Sequence, residues 1–153
     1  MAGERESPPM YERILVPTDG SECAEAAVDH AVDLASKYDA EVHVLYVVDV
    51  RVSGQGEWAL DAEAVHEAGQ DHGDAVVERV AEGIRSAGVE ATTAVRTGIP
   101  GNEIRDYAAE ADCDLVVMGT HGRTGIDRYL IGSVAERIVR TADVPVMTVR
   151  AED

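Results

Sequence analysis

The stretch GTHGRTGIDRYLIGS, residues 119–133, has the residue types of an anion-binding turn. Gly119, Gly122 and Gly132 allow a ligand to approach the backbone closely, because no Cβ intervenes. Ser133 can cap a following helix or offer its hydroxyl to a phosphate, and the free N–H groups at a helix N-terminus attract anions. The stretch therefore indicates a site for a negatively charged ligand, with phosphate as the obvious candidate.

Positive charge is concentrated in the same part of the chain. The residues from Gly119 to Thr141 include four of the twelve arginines, against two acidic residues. Arg123 is the arginine that we expect to contact the ligand. Arg137 and Arg140 are expected to be solvated residues near a helix C-terminus, where positive charge is favourable in any case.

The overall charge limits the partners that the protein can have. The chain has 30 Asp and Glu against 13 Lys and Arg, a net charge of −17, and nucleic acid and anionic membranes bind through basic contacts. We therefore expect neither as a partner. No apolar stretch approaches the ~20 residues of a membrane span and no secretion signal is recognisable, which predicts a cytoplasmic protein. The shortage of lysine suits a saline cytosol, where screening weakens self-repulsion.

The elements that must position the turn follow from apolar runs that alternate with helical patterns. Strands are predicted over residues 14–17, 42–48, 89–96, 115–118 and 144–149. Helices are predicted over residues 22–37, 58–88 with a break near Gly69 or Gly73, 98–111 and 133–141, with Ser21 as the N-cap of the first. Residues 1–10 are expected to be a disordered tail, and residues 11–153 a single domain.

This alternation predicts an α/β fold, a doubly wound, Rossmann-like parallel sheet of five strands with helices on both faces. With the strand order 3-2-1-4-5, the third and fifth strands lie at the edges. Ligands of such sheets bind beyond the carboxyl ends of the strands, where the strand order reverses. The loop 17–20 and the turn that begins at Gly119 would meet there.

The glycine spacing G-x2-G-x9-G-S resembles the nucleotide-binding signature of the universal stress protein family. Further similar segments are ILVPTDGS at the first strand, HVLYVVD in the second, the GIP turn before the third helix, and VPVMTV at the end. The resemblance covers residues 11–150. It implies ATP as the ligand, with Mg²⁺ or Mn²⁺ held mainly by the phosphates, and a homodimer formed through the fifth strand, Val144 to Val149.

The resemblance also implies a role for individual residues. Asp19 would lie against the adenosine beside Pro17 and Thr18, Val47 would present its backbone to the adenine, and the last glycine and its neighbours would donate to the phosphates. The full set expected to bind ATP is Pro17, Thr18, Asp19, Val47, Met118, Gly119, His121, Gly122, Arg123, Gly132, Ser133 and Val134.

Three functions are compatible with these features. The first is an ATP-binding module of the stress response that works by switching, and the second is a slow ATPase. The third is a chaperone-like or structural dimer that binds AMP, cyclic AMP or no nucleotide. No Walker pattern is present, and His121 and Asp127 are more typical of ligand or solvent contacts than of a catalytic base. His30 and His43 are expected to be packing residues, and His66 and His72 have the wrong spacing for zinc.

Overall fold

The computed structural model describes residues 10–50, 62–120 and 132–150. Most of the predicted tail therefore lies outside the described residues. The strands are β1 (Arg13–Pro17), β2 (Glu41–Asp49), β3 (Ala91–Gly98), β4 (Leu115–Gly119) and β5 (Val146–Val149). The helices in these ranges are α1 (Glu22–Tyr38), α2 (Ala62–Ser86), α3 (Pro100–Glu110) and α4 (Ser133–Thr141). None of the described helices is long and apolar enough to cross a lipid bilayer.

The five strands form one parallel sheet in the order β3-β2-β1-β4-β5. Helices α1 and α2 contribute to the apolar cluster on one face, and α3 and α4 to the cluster on the other face. This confirms the predicted doubly wound, Rossmann-like α/β fold. It also confirms the edge positions of β3 and β5.

The central strand shows why the apolar runs predicted a sheet covered on both faces. Ile14, Leu15 and Val16 of β1 are all completely buried. Ile14 and Val16 belong to the cluster on the α1 side, whereas Leu15 belongs to the cluster on the α3 side. Side chains of a strand alternate between the two faces, so a strand with helices on both sides needs a continuous apolar run.

Helix α2 corrects the expectation of a break at its glycines. The helix runs without interruption through Gly69 and Gly73. A Cβ on Gly73 would lie 2.6 Å from Cδ1 of Tyr46, and one on Gly69 would lie 3.0 Å from Cγ1 of Val48. The two glycines therefore allow α2 to pack closely on β2, which explains their presence without a kink.

The element boundaries differ from the prediction by a few residues. Strand β3 covers Ala91–Gly98, two residues later than expected, and β5 begins at Val146, two residues later than expected. Ser21 is the N-cap of α1, as predicted, and its Oγ accepts a hydrogen bond of 3.3 Å from the N–H of Ala24.

Candidate functional site

A cleft with a volume of about 540 Å³ lies at the carboxyl ends of β1, β2 and β4. This is the place where the strand order reverses, as predicted for a ligand of this fold. Nine of the twelve expected binding residues line it, namely Pro17, Thr18, Asp19, Val47, Met118, Gly119, Gly132, Ser133 and Val134. The other three, His121, Gly122 and Arg123, lie outside the described residues.

The loop after β1 is held in shape by its own polar side chains. The N–H of Thr18 donates to the carbonyl of Leu45 at 2.9 Å, and the Oγ1 of Thr18 accepts from the N–H of Gly20 at 3.1 Å. One oxygen of Asp19 accepts from the N–H of Ser21 at 2.9 Å. Gly20 has a φ of +82°, a conformation that glycine adopts without strain. The loop thus orients the Asp19 carboxylate at the cleft.

The start of α4 forms the opposite wall of the cleft. It excludes the first of the two roles that the sequence allowed for Ser133, that of the helix cap. Gly132 is the N-cap, and it makes no side-chain cap hydrogen bond, since glycine has no side chain to offer. Ser133 is the first helical residue and is exposed. Ser133, Val134 and Ala135 all line the cleft, and the backbone amides of a first helical turn have no partner within their own helix. The wall therefore presents amide donors.

Gly119 has a packing role that the sequence did not reveal. A Cβ at this position would lie 2.7 Å from the Cβ of Cys23 and 2.8 Å from its carbonyl carbon. The first turn of α1 therefore packs directly on the end of β4. The sequence predicts this glycine from the close approach of a ligand, whereas the contact with Cys23 is by itself sufficient to require it.

Thr120 anchors the segment between β4 and α4. Its N–H donates to the carbonyl of Val149 in β5 at 2.9 Å, and its carbonyl accepts from the N–H of Gly132. Its side chain is buried and lines the cleft. Both ends of the glycine-rich turn are therefore tied to the sheet.

Several lining residues were missed by sequence reasoning. Val65 and Gly69 come from α2, and Pro100 and Ile104 come from α3. Their contribution depends on how the two helices fold back over the sheet, which no local pattern shows. A further missed residue is Asp49, for which the position at the end of β2 was an available signal. The remaining missed lining residues are Ala24, Leu45, Tyr46, Val48, Thr120 and Ala135.

Two arginines and one histidine that the sequence analysis considered lie outside the cleft. Arg137 packs on Gly101 and donates to Oδ1 of Asn102 at 2.8 Å, so it links α4 to α3 as well as being exposed. Arg140 is a solvated residue, as expected, with Glu136 at 3.4 Å. His30 is exposed rather than packed, because it lies on the outer face of α1.

The two cysteines, Cys23 and Cys113, are both free thiols. Burial raises the pKa of the Cys113 thiol to about 12, so this cysteine behaves as a core residue. The described residues contain no group of three or more potential metal ligands.

Comparison with known proteins places the chain among relatives of similar length. The model of the universal stress protein family matches residues 10–150. A universal stress protein of Methanocaldococcus jannaschii, MJ0531, is 40% identical over 145 residues, which cover 92% of this chain and 83% of that protein.

Solved structures support the same relationship. The structure of protein MJ0577 of the same organism has a TM-score of 0.85 at 28% identity, and covers 94% of this chain and 99% of that one. The universal stress protein of Archaeoglobus fulgidus, solved in complex with dAMP, has a TM-score of 0.66 at 25% identity, covering 92% and 98% respectively. The chain therefore belongs to the universal stress protein family.

Proposed function

We propose that the protein is a cytoplasmic ATP-binding module of the stress response, which acts according to whether its cleft holds a nucleotide. The observation that carries this proposal is the first turn of α4, which borders the cleft with no side-chain cap at Gly132. The helix dipole favours an anion at this position by about 0.3 to 2 kcal/mol, before hydrogen bonds are counted. The phosphates would lie at this wall, against Ser133 and Val134.

The rest of the cleft suits a nucleoside. Leu45, Val47, Ile104 and Met118 give it an apolar lining, and its volume of about 540 Å³ is within the range of about 300–1,000 Å³ for small-molecule sites. Asp19 would accept hydrogen bonds from the ribose hydroxyls. The dAMP complex of the Archaeoglobus fulgidus relative supports an adenine nucleotide as the ligand class.

Two parts of this assignment come from the sequence. His121, Gly122 and Arg123 would contact the phosphates according to the family resemblance, and they lie outside the described residues. A divalent ion, Mg²⁺ or Mn²⁺, would be held mainly by phosphate oxygens, since Mg²⁺ usually retains waters and phosphate ligands rather than an all-protein cage.

Calorimetric titration of ATP, AMP and cyclic AMP tests the proposal. We expect ATP to bind the wild-type protein. Its affinity for Ser133→Trp should be at least about tenfold lower, because the indole would occupy part of the cleft. The matched control is Thr141→Trp, which places the same side chain at an exposed position at the other end of α4. Equal affinities in the two variants, or no nucleotide binding by the wild type, would contradict the proposal.

Phosphate release over several hours distinguishes the module from a slow ATPase. A switching module is expected to hold ATP with no release above that of ATP alone. Release that requires the intact cleft, and is absent in Ser133→Trp, would favour the enzyme. An empty cleft in the calorimetric titrations would favour the chaperone-like dimer.

We further propose that two chains associate through β5. This strand is an edge of the sheet, and Val146, Met147 and Thr148 are only partly buried. An uncovered edge strand presents unpaired backbone groups to a second chain. The proposed contact is shorter than the segment Val144–Val149 expected from sequence, because the strand begins at Val146.

A further inference from the structure

The two ends of the cleft, which lie at different strands of the sheet, carry opposite charge. Strand β1 lies between β2 and β4, so the carboxyl ends of β2 and β4 are about 10 Å apart, two strand spacings. The positive end of the α4 dipole is on the β4 side. The carboxylates of Asp19 and Asp49 are on the β1 and β2 side.

Asp49 is held at the far end of this axis by the sheet itself. It is the last residue of β2, it pairs in register with Gly98 of β3, and it is partly buried. Its neighbour Val48 packs against Gly69 of α2, which also lines the cleft with Val65. Side chains of a strand alternate between the two faces, so Asp49 shares the face of Leu45 and Val47, which α3 and α4 cover.

We propose that Asp49 is a specificity-determining residue, which excludes nucleotides that carry a phosphate at the sugar end as well as at the 5′ position. This inference rests on the proposed nucleotide function and defines its ligand class more narrowly. A ligand with its phosphates at α4 places its sugar and base towards β1 and β2. A second phosphate there would face Asp49 and Asp19, whereas a hydroxyl or amino group can donate to them.

The test compares AMP with adenosine 2′,5′-bisphosphate and adenosine 3′,5′-bisphosphate by calorimetric titration. We expect the wild-type protein to bind AMP at least about tenfold more tightly than either bisphosphate, because the second phosphate and the Asp49 carboxylate carry like charges that repel each other. In Asp49→Asn this ratio should fall by at least about fivefold, chiefly through tighter binding of the bisphosphates.

The control variant is Asp39→Asn, which removes one carboxylate elsewhere. Asp39 is the exposed C-cap of α1 with a φ of +58°, which asparagine tolerates, and it does not line the cleft. It should keep the wild-type ratio, which separates a local effect of Asp49 from the net charge of the protein. An unchanged ratio in Asp49→Asn would overturn the inference and leave the proposed function in place. Failure of the wild-type protein to bind any nucleotide would overturn both.

A second measurement needs no substitution. Raising the salt concentration from about 0.1 M to about 1 M shortens the Debye length from about 10 Å to about 3 Å. The wild-type preference for AMP should therefore decrease with salt if the carboxylate causes it. A preference that does not change with salt would indicate steric exclusion of the second phosphate and would contradict the role of Asp49.

Discussion

His43 shows how burial determines the charge of a single side chain. It lies in β2 with 8% of its surface exposed, and its Nδ1 is 2.8 Å from the hydroxyl of Tyr107 in α3. Its Nε2 is buried and lies 3.3 Å from Oε2 of Glu41, but it makes no hydrogen bond with any residue that the structure describes. Burial lowers the pKa of His43 from 6.5, and the nearby Glu41 carboxylate opposes this only in part. The folded protein therefore favours the neutral ring.

The lowered pKa predicts a loss of stability in mild acid. The unfolded chain binds a proton at His43 more readily than the folded chain, so this residue stabilises the fold above pH ~6.5 and the contribution is lost as the pH falls towards the lowered pKa. We expect the free energy of unfolding of His43→Gln to decrease less between pH 7 and pH 5 than that of the wild type, because the variant lacks the group whose pKa is lowered by folding. Urea denaturation at a series of pH values measures this difference.

The control for His43 is His30→Gln, at an exposed position of α1. It removes a histidine while leaving the buried ring of His43 and its contact with Tyr107 in place. If His43→Gln had the same pH dependence as the wild type, the burial of a neutral His43 would not contribute to acid sensitivity.

At the level of secondary structure, α2 shows that two glycines in one helix can have opposite roles. A Cβ on Gly73 would lie within 3.2 Å of three atoms of the Tyr46 ring. A Cβ on Gly83, ten residues further along, would have no atom within 4 Å. Gly73 therefore allows the helix to pack on β2, whereas Gly83 only lowers the helix propensity.

This difference predicts opposite effects of the same substitution. Gly73→Ala should destabilise the protein by about 1 to 3 kcal/mol, because the methyl group is forced into a packed ring. Gly83→Ala should stabilise it by about 0.5 to 1 kcal/mol, because alanine loses less backbone entropy in a helix. Chemical denaturation of the two variants beside the wild type measures both values. Equal effects would show that Tyr46 adjusts without cost.

At the level of the whole molecule, the backbone N–H and C=O groups of β5 point alternately towards β4 and towards the outer edge of the sheet. The carbonyls of Pro145 and Val149 accept hydrogen bonds from β4 and from Thr120, so these residues face the sheet. Neighbouring residues of a strand point their backbone groups to opposite sides, which directs those of Val146 and Thr148 to the outside. These are the groups available to a second chain.

Removal of one such group tests the proposed dimer. Thr148→Pro deletes an outward N–H while leaving the bonds to β4 in place, and proline is tolerated at sheet edges. We expect it to shift the protein from dimer to monomer in analytical ultracentrifugation. Thr93→Pro is the control at the other edge, because the carbonyl of Glu90 accepts from Val42 and Thr93 therefore faces outwards from β3. A dimer that persists in Thr148→Pro but is lost in Thr93→Pro would place the interface at β3.

The distribution of charge is also a property of the whole molecule. Six acidic residues of α2 are exposed at intervals of three or four, so they form one stripe along the helix, namely Glu63, Glu67, Asp71, Asp74, Glu78 and Glu82. Like charges at these intervals repel each other, and salt reduces this repulsion. This arrangement of charge favours the prediction that the protein works in a saline cytosol, which stays a prediction.

The sequence by itself determined the order of the elements and their arrangement in the sheet. Continuous apolar runs such as Ile14–Val16 can be satisfied only between two layers of helices, and the alternation of strands and helices then leads to a parallel sheet. It also determined the part of the site that comes from loops at the ends of β1 and β4, because the glycines and Asp19 follow those strands directly.

Only the tertiary structure decided the remaining features of the cleft. The need for a glycine at position 119 depends on Cys23, which is far away in sequence, and the wall formed by Val65 depends on the close packing of α2 on β2. Gly132 rather than Ser133 caps α4, since the cap depends on where the helix meets the end of β4. Local patterns record which residues favour a strand, a helix or a turn, but they do not record distances between elements. Those distances decide which residues share a cleft.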